Sequence, residues 1–371
     1  MRVVVAPDSF GETLSAPEAA AAIAEGWRRT APGDELELLP VADGGTGFVD
    51  VLYAVLGGTL HTTTVIGPSG APVPATWLQV GECAYVESAA ACGLHLVPRA
   101  ERTPQTAATV TTPGVGELIR AAIAAGATEI VVGLGGSATT DGGAGMLAAL
   151  GAHPLAADGA ELPPGGAALA DVARLDGRPD IAGLRLVAAA DVDDPLLGRH
   201  GAAAVFGPQK GADDRMIAVL DESLARFADV LAEHTGRDVR DEPGAGAAGG
   251  LGAALLALGA ERVSGAGLVR GLVGLDAALD RAGLVITGEG SFDWQSLRGK
   301  LVTAVARGAA ERGVPCIVLA GQVSVGRREA AAVGVEAAYG VAEQTGLEAS
   351  LADPAGTLAS LAERVAKRWS R

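Results

Sequence analysis

The chain has 371 residues, more than one core of ~100 to 200 residues, so its length favours roughly two domains. Hydrophobic residues make up 49% of it, enough to fill both cores, but with 28 basic against 44 acidic side chains and a net charge of −16 it repels nucleic-acid backbones and anionic membranes. Cys83, Cys92 and Cys316 are odd in number and lack CxxC spacing, which speaks against a disulfide framework and for a reducing cytoplasm.

The apolar run 2–6 ends in Pro7-Asp8-Ser9. Ser15-Ala16-Pro17-Glu18 then reads as an N-cap, a first-turn proline and a capping glutamate, opening a helix over 17–30. The next apolar run, 36–41, ends in Asp43-Gly44-Gly45, so a βαβ unit with a parallel sheet is expected. Between 60 and 86, short alternating runs separated by Gly67-Pro68-Ser69-Gly70 and Gly81-Glu82 predict antiparallel strands of a second domain. A helix over 114–125, a strand over 129–133, a helix over 142–150 and a strand over 184–190 come next, then helices near 213–234 and 249–258. The last third alternates strands at 284–287, 315–320 and 335–339 with helices at 299–312, 327–333 and 354–369. The expected architecture is α/β: a doubly wound parallel-sheet domain built from both chain ends, 1–58 and 260–371, interrupted by an inserted mixed α/β domain over 59–259.

Polar motifs stand where the apolar strands end: Asp8 and Ser9; Asp43, Gly44 and Gly45; Gly135, Gly136 and Ser137 with Asp141; Asp191, Asp193 and Asp194; Glu289 with Asp293. In open α/β sheets ligands bind outside those carboxyl ends. The run 133–145 is rich in glycine and precedes a helix, so its backbone amides suit a phosphate or carboxylate. It also spells a GxGxxA over Gly133–Ala138, which leaves a nicotinamide oxidoreductase as an alternative. Gly244-Ala-Gly-Ala-Ala-Gly249 follows Arg240-Asp-Glu-Pro and not a strand, so its glycines read as allowing close approach to a helix. No GxxxxGK[ST] occurs. Carboxylates suit phosphoryl transfer, because the metal bridging phosphate oxygens needs oxygen ligands and a hydroxyl nucleophile needs a proton acceptor. Asp191, Asp193 and Asp194 offer both in one loop. Lys210 and Lys300, which share the lysine inventory only with Lys367, are candidate phosphate contacts.

Taken together, Ala6-Pro-Asp-Ser-Phe10, Ala42-Asp-Gly-Gly45, Glu87-Ser-Ala-Ala-Ala-Cys-Gly-Leu94, Gly133–Met146, Asp191-Val-Asp193, Val205-Phe-Gly-Pro-Gln-Lys-Gly211, the run 243–252 and Ile286-Thr-Gly-Glu-Gly-Ser-Phe-Asp293 resemble the bacterial glycerate kinase family that includes the 2-phosphoglycerate-forming enzymes. The resemblance runs in order over residues 2–345. It implies ATP-dependent phosphorylation of D-glycerate with Mg²⁺, a flavodoxin-like domain holding both termini, and a site in the cleft between that domain and the insertion. On this reading Asp191, Asp193 and Asp293 are catalytic, and Asp193 and Glu289 are the metal ligands. Asp8, Ser9, Asp43, Gly44, Gly45, Gly135, Gly136, Ser137, Asp141, Lys210, Glu289 and Lys300 bind substrate or phosphate. The implied partners are glycerate and a nucleotide, with no nucleic acid and no membrane; the oligomeric state is open, a homodimer being one option. The chain departs from the family pattern at Gly11, Thr46, Thr140, Asp194 and Ser291, and so loses a Lys and an Arg from strand-end loops. Either the charge is supplied from elsewhere, with Arg298 or Lys300 as candidates, or the anion is bound more weakly. A catalytically silent sensor of small acids is the non-enzymatic alternative.

Overall fold

A computed structural model describes residues 1–11, 13–181, 183–298 and 301–370, and the chain divides into two compact units. The first comprises residues 1–42, 50–56 and 266–371; the second comprises 43–49 and 57–265.

The first unit holds a five-stranded sheet in the order Ala337–Gly340, Cys316–Ala320, Leu284–Thr287, Arg2–Val5, Glu35–Leu38, with every neighbouring pair parallel. Numbered within the unit this is 2-1-3-4-5, the flavodoxin-like doubly wound order, in which the chain reverses direction across the sheet beside Arg2–Val5. The central strands Leu284–Thr287 and Cys316–Ala320 are buried throughout, as a sheet covered on both faces requires. The helix Ala16–Thr30 opens on the expected capping box: the Ser15 hydroxyl accepts from the Glu18 amide, and the Glu18 carboxylate accepts from the Ser15 amide. Its apolar face, with Ile23 and Trp27 fully buried, packs on the helix Pro354–Trp369. Gly26 lets the two approach, because a Cβ there would overlap the Ala359 carbonyl.

The second unit holds a six-stranded sheet in the order Glu261–Val263, Arg185–Ala189, Glu129–Gly133, Cys83–Glu87, Pro72–Val80, Thr59–Ile66. The first four strands run parallel and the last two pair antiparallel, so the alternating runs in 60–86 do form the antiparallel edge. Helices Pro113–Ala124, Asp214–Thr235 and Ala247–Ala257 contribute to its core. The last is kinked at Ala248, Gly249 and Gly250, all at positive φ. A Cβ on Gly249 would overlap the Thr139 carbonyl, so the glycines of 244–250 serve close packing, as expected for a segment that no strand precedes. The stretch 200–212, with no helix expected, carries the short helix Ala202–Phe206 and a 3-10 turn at Pro208–Lys210 that buries Lys210. Among the described residues no helix is long and apolar enough to cross a membrane.

The closeness of the two terminal helices of the first unit gives a test. Gly26→Val should lower unfolding stability by ~1–3 kcal/mol, the usual scale of overpacking. A urea midpoint equal to that of the wild type would show that these helices are not held at that separation.

Candidate active site

The carboxyl ends of the four parallel strands in the second unit, at Glu87, Gly133, Ala189 and Val263, lie side by side. The loops leaving these ends build the site. After Gly133 the chain turns through Leu134-Gly135-Gly136-Ser137, with Gly136 at φ +62°, a conformation favouring glycine. Ser137 bridges to Gly93, and Ala138 donates to the Cys92 carbonyl (2.8 Å), which fixes the turn from below. Asp43-Gly44-Gly45 is laid directly against it: a Cβ on Gly135 would come within 2.6 Å of the Gly45 Cα. Two carboxylates hold this second segment. The buried Glu87 carboxylate accepts from the Gly47 and Val49 amides at 3.0 and 3.4 Å, and Asp43 Oδ1 accepts from the Gly45 amide at 2.9 Å.

These turns enclose a cavity of about 160 Å³ lined by Asp43, Gly135, Gly136, Ser137, Asp191 and Lys210, together with Phe206 and Ala248. Five expected ligand contacts and the expected catalytic Asp191 therefore meet in one place. Lys210 is 3% exposed. Its Nζ donates to the Thr139 carbonyl at 2.5 Å and to the Ser137 hydroxyl at 3.2 Å. An ammonium has three donors, so one remains for an anion in the cavity. Burial lowers the Lys210 pKa to about 8, against the opposing pull of Cys92 and Asp141. Burial also pushes the Cys92 thiol up to about 12, so at neutral pH the negative charge near Lys210 is that of Asp141.

Asp141 itself is turned inward, 1% exposed. Its carboxylate accepts from the Thr111 hydroxyl (2.8 Å), the Thr112 hydroxyl (2.9 Å) and amide (3.0 Å), and the Gly143 and Gly145 amides (3.1 and 3.2 Å). The expected amide cradle at the start of a helix is thereby displaced. The helix begins only at Ala144, the glycine amides just before and within its first turn point at Asp141, and the Gly142 amide goes to the Gly249 carbonyl. The anion-facing part of the run is Gly135–Ser137, away from a helix start, which also removes the structural basis of a dinucleotide site at Gly133–Ala138.

Asp191 is exposed, two residues beyond the strand Arg185–Ala189, and its Oδ1 accepts from the Ser264 hydroxyl at 2.6 Å. Asp193 is paired with Arg262 and is not among the cavity-lining residues. Arg262, Thr111 and Thr112 were not legible as site residues: their partners lie about 30 to 70 positions away in the sequence.

The remaining expected residues belong to the first unit. Asp8 and Ser9 come after the strand Arg2–Val5, with the Ser9 amide donating to Asp8 Oδ1 (2.6 Å) and the Asp8 amide to the Gly288 carbonyl (2.8 Å). Glu289 is 7% exposed beyond the strand Leu284–Thr287. Asp293 caps a turn, accepting from the Gln295 and Ser296 amides at 2.7 and 3.4 Å. Lys300 lies outside the described residues, as does the side chain of Arg298. Among the described residues no group of three or more His, Cys, Asp or Glu is disposed to hold a metal ion.

The Asp141 cluster predicts its own test. Asp141→Ala leaves two threonine hydroxyls and three amides without their acceptor, and should cost at least ~3 kcal/mol by urea unfolding. A loss under ~1 kcal/mol would show that water or other groups take over those donors.

The chain resembles known proteins over nearly its whole length. Residues 3–370 match the glycerate kinase family. The chain is 45% identical to a glycerate kinase of Bacillus subtilis strain 168, covering 92% of this chain and 90% of that one. It is also 45% identical to glycerate 2-kinase of Escherichia coli K12, covering 87% and 86%. A crystal structure assigned to glycerate kinase 2 of Salmonella typhimurium LT2 matches with a TM-score of 0.83 at 41% identity, over 99% of this chain and 98% of that one. The protein is thus an enzyme that phosphorylates glycerate, and the chain belongs to the glycerate kinase family.

Proposed function

We propose that the enzyme transfers the γ-phosphoryl group of ATP to the 2-hydroxyl of D-glycerate, yielding 2-phosphoglycerate and ADP, and that the cavity lined by Asp43, Gly135–Ser137, Asp191 and Lys210 is where the reacting groups are held. The observation that carries this reading is the meeting of two carboxylates, a glycine turn and a buried lysine in one small cavity at the carboxyl ends of parallel strands. The match to an enzyme named for the 2-phosphorylated product supports the choice of hydroxyl.

Each residue has a chemical task. The amides of Gly135–Ser137 and the spare donor of Lys210 bind anionic oxygens, from the glycerate carboxylate or the phosphates. Asp191, oriented by Ser264, accepts the proton of the attacking hydroxyl as its oxygen bonds to the γ-phosphorus and the bond to the β–γ bridging oxygen breaks. Mg²⁺ takes one or two carboxylates plus phosphate oxygens and waters, and the exposed Asp43 is a donor of that kind; bound there, the ion would neutralise charge on the transferred group. Asp193, expected as a metal ligand, already spends its charge on Arg262. Asp8, Ser9, Glu289 and Asp293 are proposed as further ligand contacts on the first unit. With Cys92 and Cys316 buried as free thiols, the cytoplasm suits the protein.

An enolase-coupled assay tests the product directly, since enolase consumes 2-phosphoglycerate and not its 3-isomer. Phosphoenolpyruvate should form from ATP and D-glycerate without added mutase; ADP release that requires mutase would reassign the hydroxyl. Asp191→Asn should lower kcat by ~10² or more, the scale of a lost general base. Lys210 gives a pH signature. Its charged form is the anion-binding one, so kcat/KM, which reports the free enzyme, should fall as pH rises through about 8. Lys210→Arg should carry that limb beyond the accessible range, while a limb near 8 persisting in this variant would assign the titration elsewhere.

A further inference from the structure

The short strand Glu261–Val263 is at the edge of the second unit's sheet, parallel to Arg185–Ala189, and none of its residues carries a step of the reaction. Its side chains and the serine after it touch three successive residues of the site loop. Ser264 donates to Asp191 Oδ1 at 2.6 Å. Arg262 donates through Nη2 to the Val192 carbonyl at 3.2 Å and to the Asp193 carboxylate. Asp191 and Val192 both line the cavity.

Two further facts separate this contact from an ordinary surface ion pair. Arg262 Nε is buried without a hydrogen-bond partner, an arrangement that stability alone disfavours. Room for the guanidinium is made by Gly244, at φ +85°, where a Cβ would lie 2.7 Å from Nε and 2.9 Å from Cδ. The first glycine of the 244–249 motif is thus accounted for. Asp193, by contrast, is 80% exposed in its side chain, and exposed pairs contribute little to stability. Arg262 is itself 29% exposed in its side chain, so the cost lies in sealing the inner Nε without a partner, and a pair this exposed does not offset it.

We propose that Arg262 is a positioning residue for phosphoryl transfer: by gripping the Val192 carbonyl and Asp193 at once, it fixes the loop that carries Asp191, in concert with Ser264. This rests on the reading of Asp191 as the proton acceptor. A guanidinium suits the task because the two hydrogens of Nη2 are held in its plane and address the two acceptors in set directions, whereas an ammonium on a flexible stem rotates freely. The proposal concerns alignment of a reacting group and not ligand affinity, so its effect should appear in kcat and not in KM.

The test uses steady-state kinetics with glycerate and ATP on the full chain, with thermal unfolding in parallel. Arg262→Met should lower kcat tenfold or more, leave both KM values within about threefold, and shift Tm little. Arg262→Lys, able to pair with Asp193 alone, should recover part of the loss. Combined with Asp191→Asn, Arg262→Met should lower kcat no further than Asp191→Asn does alone, because a misplaced amide has nothing left to misalign. Wild-type kcat in Arg262→Met beside an impaired Asp191→Asn would overturn the positioning role alone. Multiplying losses in the double variant would overturn it too, giving Arg262 an effect independent of Asp191. Wild-type kcat in Asp191→Asn would instead remove Asp191 from the mechanism, and the proposal with it.

Discussion

The buried Asp141 carboxylate is the contact on which the site depends. It gathers donors from Thr111, Thr112, Gly143 and Gly145 around one charge and so ties the start of the helix Pro113–Ala124 to the end of the glycine-rich run. A buried carboxylate is tolerable only when its lone pairs are met, and here five donors meet them. The same charge faces Lys210 and opposes the desolvation that draws protons off its ammonium. Without Asp141, a lysine 3% exposed would have weaker reason to remain charged at neutral pH. The structural anion beneath the turn thus supports the charged form of Lys210 at the cavity.

Glycine determines how close the parts of this arrangement come. Gly135 against Gly45 brings Asp43 to the mouth of the turn, and Gly249 against Thr139 lets the kinked helix Ala247–Ala257 close the opposite side, with Ala248 at φ +50° lining the cavity. A strained non-glycine residue at such a spot is the kind of local cost that functional sites carry. The sheet supplies the rest: four parallel strands ending together present Glu87, Gly135–Ser137, Asp191 and Ser264 along one edge. Only the loop residues need be chemically special.

Much of this was legible in the sequence because it is written locally. Ser15 and Glu18 announce their helix at capping-box spacing, and the strand Glu129–Gly133 has the length and apolar content its run predicts. Asp8, Asp43, Asp191 and Glu289 could be picked out because strand ends are where sheets present polar groups. Orientation is the part that local sequence does not carry. Asp141 and Asp191 look alike as acids beyond strands, yet one is sealed among threonines thirty positions upstream and the other faces the cavity. Arg262 escaped notice for the related reason that a three-residue edge strand has no readable period, and its partner lies 69 positions away. Lys210 stood out by its rarity, but its burial depends on a short 3-10 turn that Gly-Pro-Gln-Lys-Gly does not advertise.

The central claim is that Lys210 holds an anion of the substrate or nucleotide in a carboxylate-lined cavity. Since Lys210, Lys300 and Lys367 are the chain's lysines, ¹⁵Nζ resonances followed against pH can be resolved individually, with Lys210→Arg giving the assignment. Free enzyme should show one ammonium titrating near 8, and saturation with D-glycerate or with ATP should raise that value, because an anion beside the charged form favours it. A Lys210 resonance that titrates near 10, or one near 8 that neither ligand moves, would contradict the account.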